Sequence, residues 1–219
     1  LRTPDAPGTY QLRWDLVHEQ VPWFTTQGDA GLLVSPVTVE AAAVVTPTPT
    51  PPPVQIQNVS ESLDHHPSKR YARRPVSSIG RVIIHHTATP PTVSVQRIAE
   101  FQVKNKDLPG ITYHFCTTQD GQAYQTQPLV VTAAHAGQFS RDSVGVCLIG
   151  NFMEQMPPQP QLVATASVLA QLLPLLKLSL EQVIGYSEIV TTGSPGATWP
   201  RWKGPLLQLT RQLMATEPA

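Results

Sequence analysis

Residues 81–89 read RVIIHHTAT. Val82, Ile83 and Ile84 are apolar at every position, not at alternate ones. Such a run is the pattern of a strand covered on both faces, as strands of parallel sheets are. It ends in His85 and His86, neighbours that a strand turns to opposite faces. Polar residues at the ends of buried strands line the crevices of α/β folds. The stretch therefore predicts a buried strand that carries an imidazole to the rim of a crevice.

The chain downstream repeats this pattern. Ser94 is placed to cap a helix with Val95, Ile98 and Phe101 on one stripe. ITYHFCTTQDGQAYQTQP, from Ile111, reads as a hairpin, with Asp120-Gly121 as its turn. SVGVCLIGNF, from Ser143, is another buried strand, and Leu162, Leu169, Leu172 and Leu176 mark a long helix. QVIGYSE is a last short strand, and Gly204-Pro205 opens a final helix with Leu206, Leu209 and Leu213 inward. Strands alternating with helices give an α/β fold with a mixed central sheet flanked by helices. This domain is expected over residues 78–217.

Two further zones precede it. In residues 1–35, Tyr10, Leu12, Trp14 and Leu16 alternate as in a half-buried strand, and VPWFTTQGDAG adds an aromatic segment and a turn. This piece resembles the last strands of an Ig-like β-sandwich of bacterial surface proteins. Residues 36–77 read as a linker, with TPTPTPPP at Thr46–Pro53 as an extended polyproline spacer. Lys69, Arg70, Arg73 and Arg74 form a basic cluster there, read as a solvated face, with contact to an anionic polymer as the alternative. His65 and His66 are expected to be exposed. The chain is read as part of a longer multidomain protein.

Charge narrows the partners. Lysine and arginine balance aspartate and glutamate at 15 each in 219 residues. No nucleic-acid partner is expected from so neutral a chain. The leucine-rich run at 162–180 is too polar for a membrane span. Cys116 and Cys147 lie in apolar runs and read as buried free thiols, a disulfide being the other reading.

VIIHHTAT, then ITYHF with TQDGQAYQ, then AAHAG, then SVGVCLIGNF occur in an order and spacing that resemble one family. It is the type 2 N-acetylmuramoyl-L-alanine amidases together with the peptidoglycan recognition proteins. The resemblance covers about 130 residues, nearly the whole of the third zone. It implies that family's fold and a zinc hydrolase that cuts between N-acetylmuramic acid and the L-alanine of the stem peptide. Zinc there sits on two histidines and a cysteine or aspartate, with an open position for water.

Carried over residue by residue, the resemblance makes His85 the first metal ligand and Tyr113 the assisting tyrosine. Thr192 stands at an assisting position, and His135 of AAHAG on the groove side. Two positions depart. VIGYSEIVTTGSPG, from Val183, has Tyr186 where the second histidine is expected and Ser194 where the cysteine or aspartate is expected. Neutral hydroxyls are poor zinc ligands beside imidazole and thiolate. Glu188 is the candidate to rescue a metal shell with His85.

The resulting expectation is recognition of peptidoglycan stem peptide or glycan without a cofactor. Tyr113, His135, Tyr186 and Ser194 would line the site, in the extracellular space or cell envelope. An active amidase with zinc in an altered shell is the second reading, with Tyr113 and Thr192 as catalytic residues. A structural or interaction domain is the third.

Overall fold

The structure is a computed structural model that describes residues 8–14, 33–39 and 51–216. It divides into two compact units, Leu1–Pro49 and Thr50–Ala219. In the first, strand β1 (Gly8–Trp14) pairs antiparallel with β2 (Leu33–Val39). Tyr10 and Leu12 are half-buried between exposed Thr9 and Gln11, as the alternation predicts. Leu16, residues 21–31 and the start of the polyproline spacer lie outside the described residues.

The second unit holds a six-stranded sheet. Its strands are β3 (Ile56–Asn58), β4 (Arg81–His86), β5 (Phe115–Thr117), β6 (Ala123–Gln125), β7 (Ser143–Leu148) and β8 (Val183–Gly185). They lie in the order β3-β6-β5-β7-β4-β8. All neighbours are parallel except the β5–β6 hairpin. Helix α1 (Val95–Lys104) covers one face of the sheet. Helices α2 (Gln159–Leu176) and α3 (Trp199–Thr216) cover the other. This is the mixed α/β sheet expected from the sequence.

The alternation along β4 follows from that layering. Val82 and Ile84 pack toward α2 and α3 with Val144, Val146 and Leu148. His85 lies in register with Cys147, which packs on the α1 side with Cys116, Ile98 and Ala99. Both cysteines are buried free thiols. In α2, Thr165 and Ser167 are buried too, and the helix itself satisfies their hydroxyls. The Thr165 hydroxyl donates to the Gln161 carbonyl at 2.8 Å and that of Ser167 to Val163 at 2.9 Å. A helix with such internal bonds can be buried nearly all round despite its polar residues.

The structure departs from the sequence reading in three elements. Residues 36–77 are not a continuous linker: β2 runs to Val39, and the second unit starts at Thr50. β3 is an edge strand of the sheet, the Val54 N–H donates to Ser167 Oγ, and Arg74 and Thr132 complete backbone bonds with Val130 and Ala72. Arg74 is buried, not solvated, with its guanidinium on the carbonyls of Leu129, Ser140 and Arg141. Helix α3 begins at Trp199, not at Gly204. Trp199 and Trp202 start its buried stripe, and their rings pack edge to face at 4.4 Å. That burial outweighs the one backbone bond that Pro205 removes from the helix interior. Finally, β8 stops at Gly185, and Tyr186–Glu188 form a 3-10 turn instead of continuing the strand.

Candidate functional site

The carboxyl end of β4 brings the chemistry-bearing residues together. His85 is 2% exposed, and three rings surround it. Their centroids lie 4.8 Å away for Tyr186, 5.1 Å for His135 and 5.4 Å for Tyr113. Each comes from a different place: the turn after β8, the loop before β7 and the approach to β5. Ser194 closes the same end, because its hydroxyl accepts the backbone N–H of His86 at 3.1 Å. Thr192 supports that loop, its hydroxyl accepting the Ser194 N–H at 3.4 Å. The loop ends at Gly196, with φ at +118°, where a Cβ would fall 2.3 Å from the Phe152 carbonyl oxygen. Only glycine fits that approach.

The partners of the histidines set their protons. Ser143 gives its own hydroxyl proton to the Phe139 carbonyl at 2.5 Å, so its oxygen accepts from His135 Nε2 at 3.3 Å. His135 Nδ1 is then the bare nitrogen, and His85 Nε2–H donates to it at 3.0 Å. His114 Nδ1 accepts the Gly145 N–H at 3.1 Å, so its proton sits on Nε2 and goes to the Val131 carbonyl at 2.9 Å. All three rings are neutral. Burial pushes His85 down to about 3, helped by His86 and His114, and holds His114 and His135 well below the ordinary imidazole value. Gly145 makes room for this cluster, since a Cβ there would lie 2.6 Å from the His135 ring.

His135 therefore does not line a groove. It is buried, both its nitrogens are used, and it stands behind His85 as a support. His86 turns to the opposite face, where its Nδ1 accepts the Phe152 N–H at 3.2 Å. Tyr113 is half-buried, and the neighbouring Cys147 together with burial holds its phenol well above the usual value. It is a protonated hydrogen-bond donor at neutral pH.

Glu188 turns back on its own turn. Its carboxylate accepts the Gly185 N–H at 2.7 Å, the Trp199 indole N–H at 2.8 Å and the Lys203 ammonium at 2.8 Å. Burial alone would raise its pKa, but these donors outweigh it and hold the carboxyl below the usual range. It ties the Tyr186 turn to α3. Among the described residues, no three His, Cys, Asp or Glu side chains stand where they could hold one metal ion. The rings around His85 are a second imidazole hydrogen-bonded to it and two phenols, with the Ser194 alcohol on the neighbouring backbone, and this set does not fit zinc.

A groove of about 360 Å³ runs beside the site along α1. Tyr113, Thr87, Thr89, Val93, Ile98 and Phe101 line it. Phe101 is 43% exposed and belongs to the groove, not to the core stripe expected for it. Residues spaced by three drift about 60° per step around a helix, so Val95, Ala99 and Val103 take the buried face instead. Thr87 and Thr89 were not singled out in the sequence, though two hydroxyls directly after a buried strand were a usable signal. They bond each other at 2.7 Å.

Residues 75–198 match the family described as N-acetylmuramoyl-L-alanine amidase. The chain is 28% identical to peptidoglycan recognition protein 3 of Mus musculus over 111 residues, 47% of this chain and 32% of that one. It is 28% identical to peptidoglycan-recognition protein SA of Drosophila melanogaster over 142 residues, 58% of this chain and 70% of that one. It thus spans about a third of the mouse protein's length. Among solved structures, the ectodomain complex of peptidoglycan recognition proteins LCa and LCx, bound to tracheal cytotoxin, aligns with a TM-score of 0.60 at 26% identity. That alignment covers 68% of this chain and 94% of the other. An endolysin of a Thermus scotoductus bacteriophage shares the fold, with a TM-score of 0.61 at 22% identity over 71% of this chain and 99% of the other.

Proposed function

Since the chain belongs to the N-acetylmuramoyl-L-alanine amidase family, we propose that its second unit recognises peptidoglycan stem peptides without hydrolysing them. One observation carries this reading. His85 is packed against the Tyr186 ring, and the Ser194 hydroxyl is taken up by the neighbouring His86 N–H, while an open groove runs alongside. Hydrolysis in this family depends on a metal-activated water, and the donors around His85 are unsuited to hold that metal. Binding needs no metal. In the groove Tyr113 offers a ring face and a phenol donor, Thr87 and Thr89 offer hydroxyls, and Phe101 offers apolar area, while Tyr186 stands against the His85 ring beside it. The likeness to a complex bound to tracheal cytotoxin, a monomeric diaminopimelic acid-type peptidoglycan, supports this ligand class. Recognition of such a ligand would take place outside the cell or in the envelope.

The test combines three measurements on the purified chain: zinc content, calorimetric binding of a muramyl peptide, and chromatography for released stem peptide. Substoichiometric zinc, saturable binding and no release are expected. One zinc per chain with release of stem peptide would establish an active amidase instead. Absence of both zinc and binding would leave an interaction domain and overturn the reading as well.

A further inference from the structure

A second concavity, of about 450 Å³, is distinct from the groove. The two share the turn before β5, where Leu108 lines the groove and Pro109 lines the cleft. His65, Arg70, Tyr71 and Arg73 make one wall of the cleft, and Gln127 and Pro128 are among the residues that complete it. The family match begins at residue 75, so the wall with the two arginines comes from a segment outside it.

That wall is held in place. Arg70 donates from one guanidinium nitrogen to the carbonyls of His66 at 2.6 Å and Lys69 at 2.7 Å. Its other nitrogens are left for a ligand. The Tyr71 hydroxyl donates to the Gly110 carbonyl at 2.8 Å, which anchors its ring. The Arg73 backbone bridges to Val131. The Arg73 guanidinium itself has no hydrogen-bond or ion-pair partner among the described residues. Neighbouring charges are already spent: Lys69 pairs with Asp107, and Arg74 is buried on carbonyls. Glu61 also lines the cleft, so its lining holds two arginines against one carboxylate residue.

We infer that this cleft binds an oxyanion carried on a hydroxylated polymer. Guanidinium groups provide paired donors for a phosphate or carboxylate. The tyrosine ring and prolines offer faces for the C–H groups of a sugar or polyol. The volume suits a ligand of one or two such units. This inference does not rest on the reading of the groove.

Two fluorescent oligomers test it, an oligo(glycerol phosphate) and an oligogalacturonate, with a neutral maltooligosaccharide as control. Anisotropy titration of the full chain should show binding of at least one charged oligomer, weakened by salt. Arg73→Glu should lower that affinity by about tenfold or more. Binding of a muramyl peptide should stay unchanged, which separates the cleft from the groove. The oligomer that binds identifies phosphate or carboxylate as the source. Arg73→Glu should unfold at the same temperature as the parent, because its side chain holds nothing; Arg73→Ala serves if the charge reversal does not fold. Neither charged oligomer binding above the neutral control, or equal affinity in the arginine variants, would overturn the inference.

Discussion

At the scale of the residue, His85 presents a neutral ring whose Nε2 proton goes to His135. If Tyr186 and Ser194 stand at ligand positions beside it, as the proposed function has it, two substitutions should supply a zinc-binding set. The double variant Tyr186→His, Ser194→Cys is expected to take up one zinc or cobalt ion, while the parent takes up neither stoichiometrically. Cobalt(II) makes this visible as a thiolate charge-transfer band that a structural change alone would not produce. Its absence from a folded double variant would show that the two positions do not converge on His85 as a ligand set. His85 and Tyr113 were legible in the sequence because each stands in a local motif at a strand end. The part played by His135 was not. Its partners are His85, 50 positions earlier, and Ser143, eight later, and only the parallel pairing of β4 with β7 brings them together. Glu188 was misread for a related reason. Its spacing from Tyr186 points to a shared face only in a strand, and the chain makes a 3-10 turn there.

At the scale of the element, α1 is a core helix on one side and a wall of the groove on the other. Its buried side carries Val95, Ile98, Ala99 and Val103, and Ser94 caps it by accepting the Arg97 N–H at 3.2 Å. Phe101 lies off that side and is 43% exposed. Phe101→Ala should therefore change stability by well under the roughly 3–5 kcal/mol typical of a buried phenylalanine. Binding of a muramyl peptide should weaken by about tenfold, as expected for an aromatic contact. Urea denaturation and calorimetry on the same preparation check the two halves. A large loss of stability with unchanged binding would return Phe101 to the core. The apolar strands and their alternation with helices were readable, since complete burial leaves an unbroken apolar run. β3 was not. An edge strand of three residues, Ile56–Asn58, carries no period, and its partner β6 lies more than sixty positions away.

At the scale of the whole molecule, the neutral histidines tie folding to pH. His85, His114 and His135 are all held below the ordinary value of about 6.5, chiefly by burial. Above that value the rings are neutral in both folded and unfolded chains, and the contribution of their burial is fully present. As pH falls below it, the unfolded chain binds protons that the folded one refuses, and stability is lost down toward the folded value, about 3 for His85. Each ring contributes a slope of about 1.4 kcal/mol per pH unit inside this window. The urea midpoint should fall steeply from pH 6.5 to 4.5 and stay flat from 7 to 8. A midpoint level across the acid range would show that these rings titrate normally. Among the described residues no helix is long and apolar enough to cross a membrane. The chain enters the sheet of the second unit at β3, next to the residues that follow the polyproline run. A mechanical load arriving from that side meets the sheet at its edge, at three paired residues and the Val54–Ser167 bond. Those contacts would yield before β4, β7 and β8, whose pairings lie at the centre and far side of the sheet. Tension would thus release β3 first, while the segment that bears Arg70 and Arg73, tied separately through Tyr71 to Gly110 and through Arg74 to Val130, and the walls of the groove stay standing.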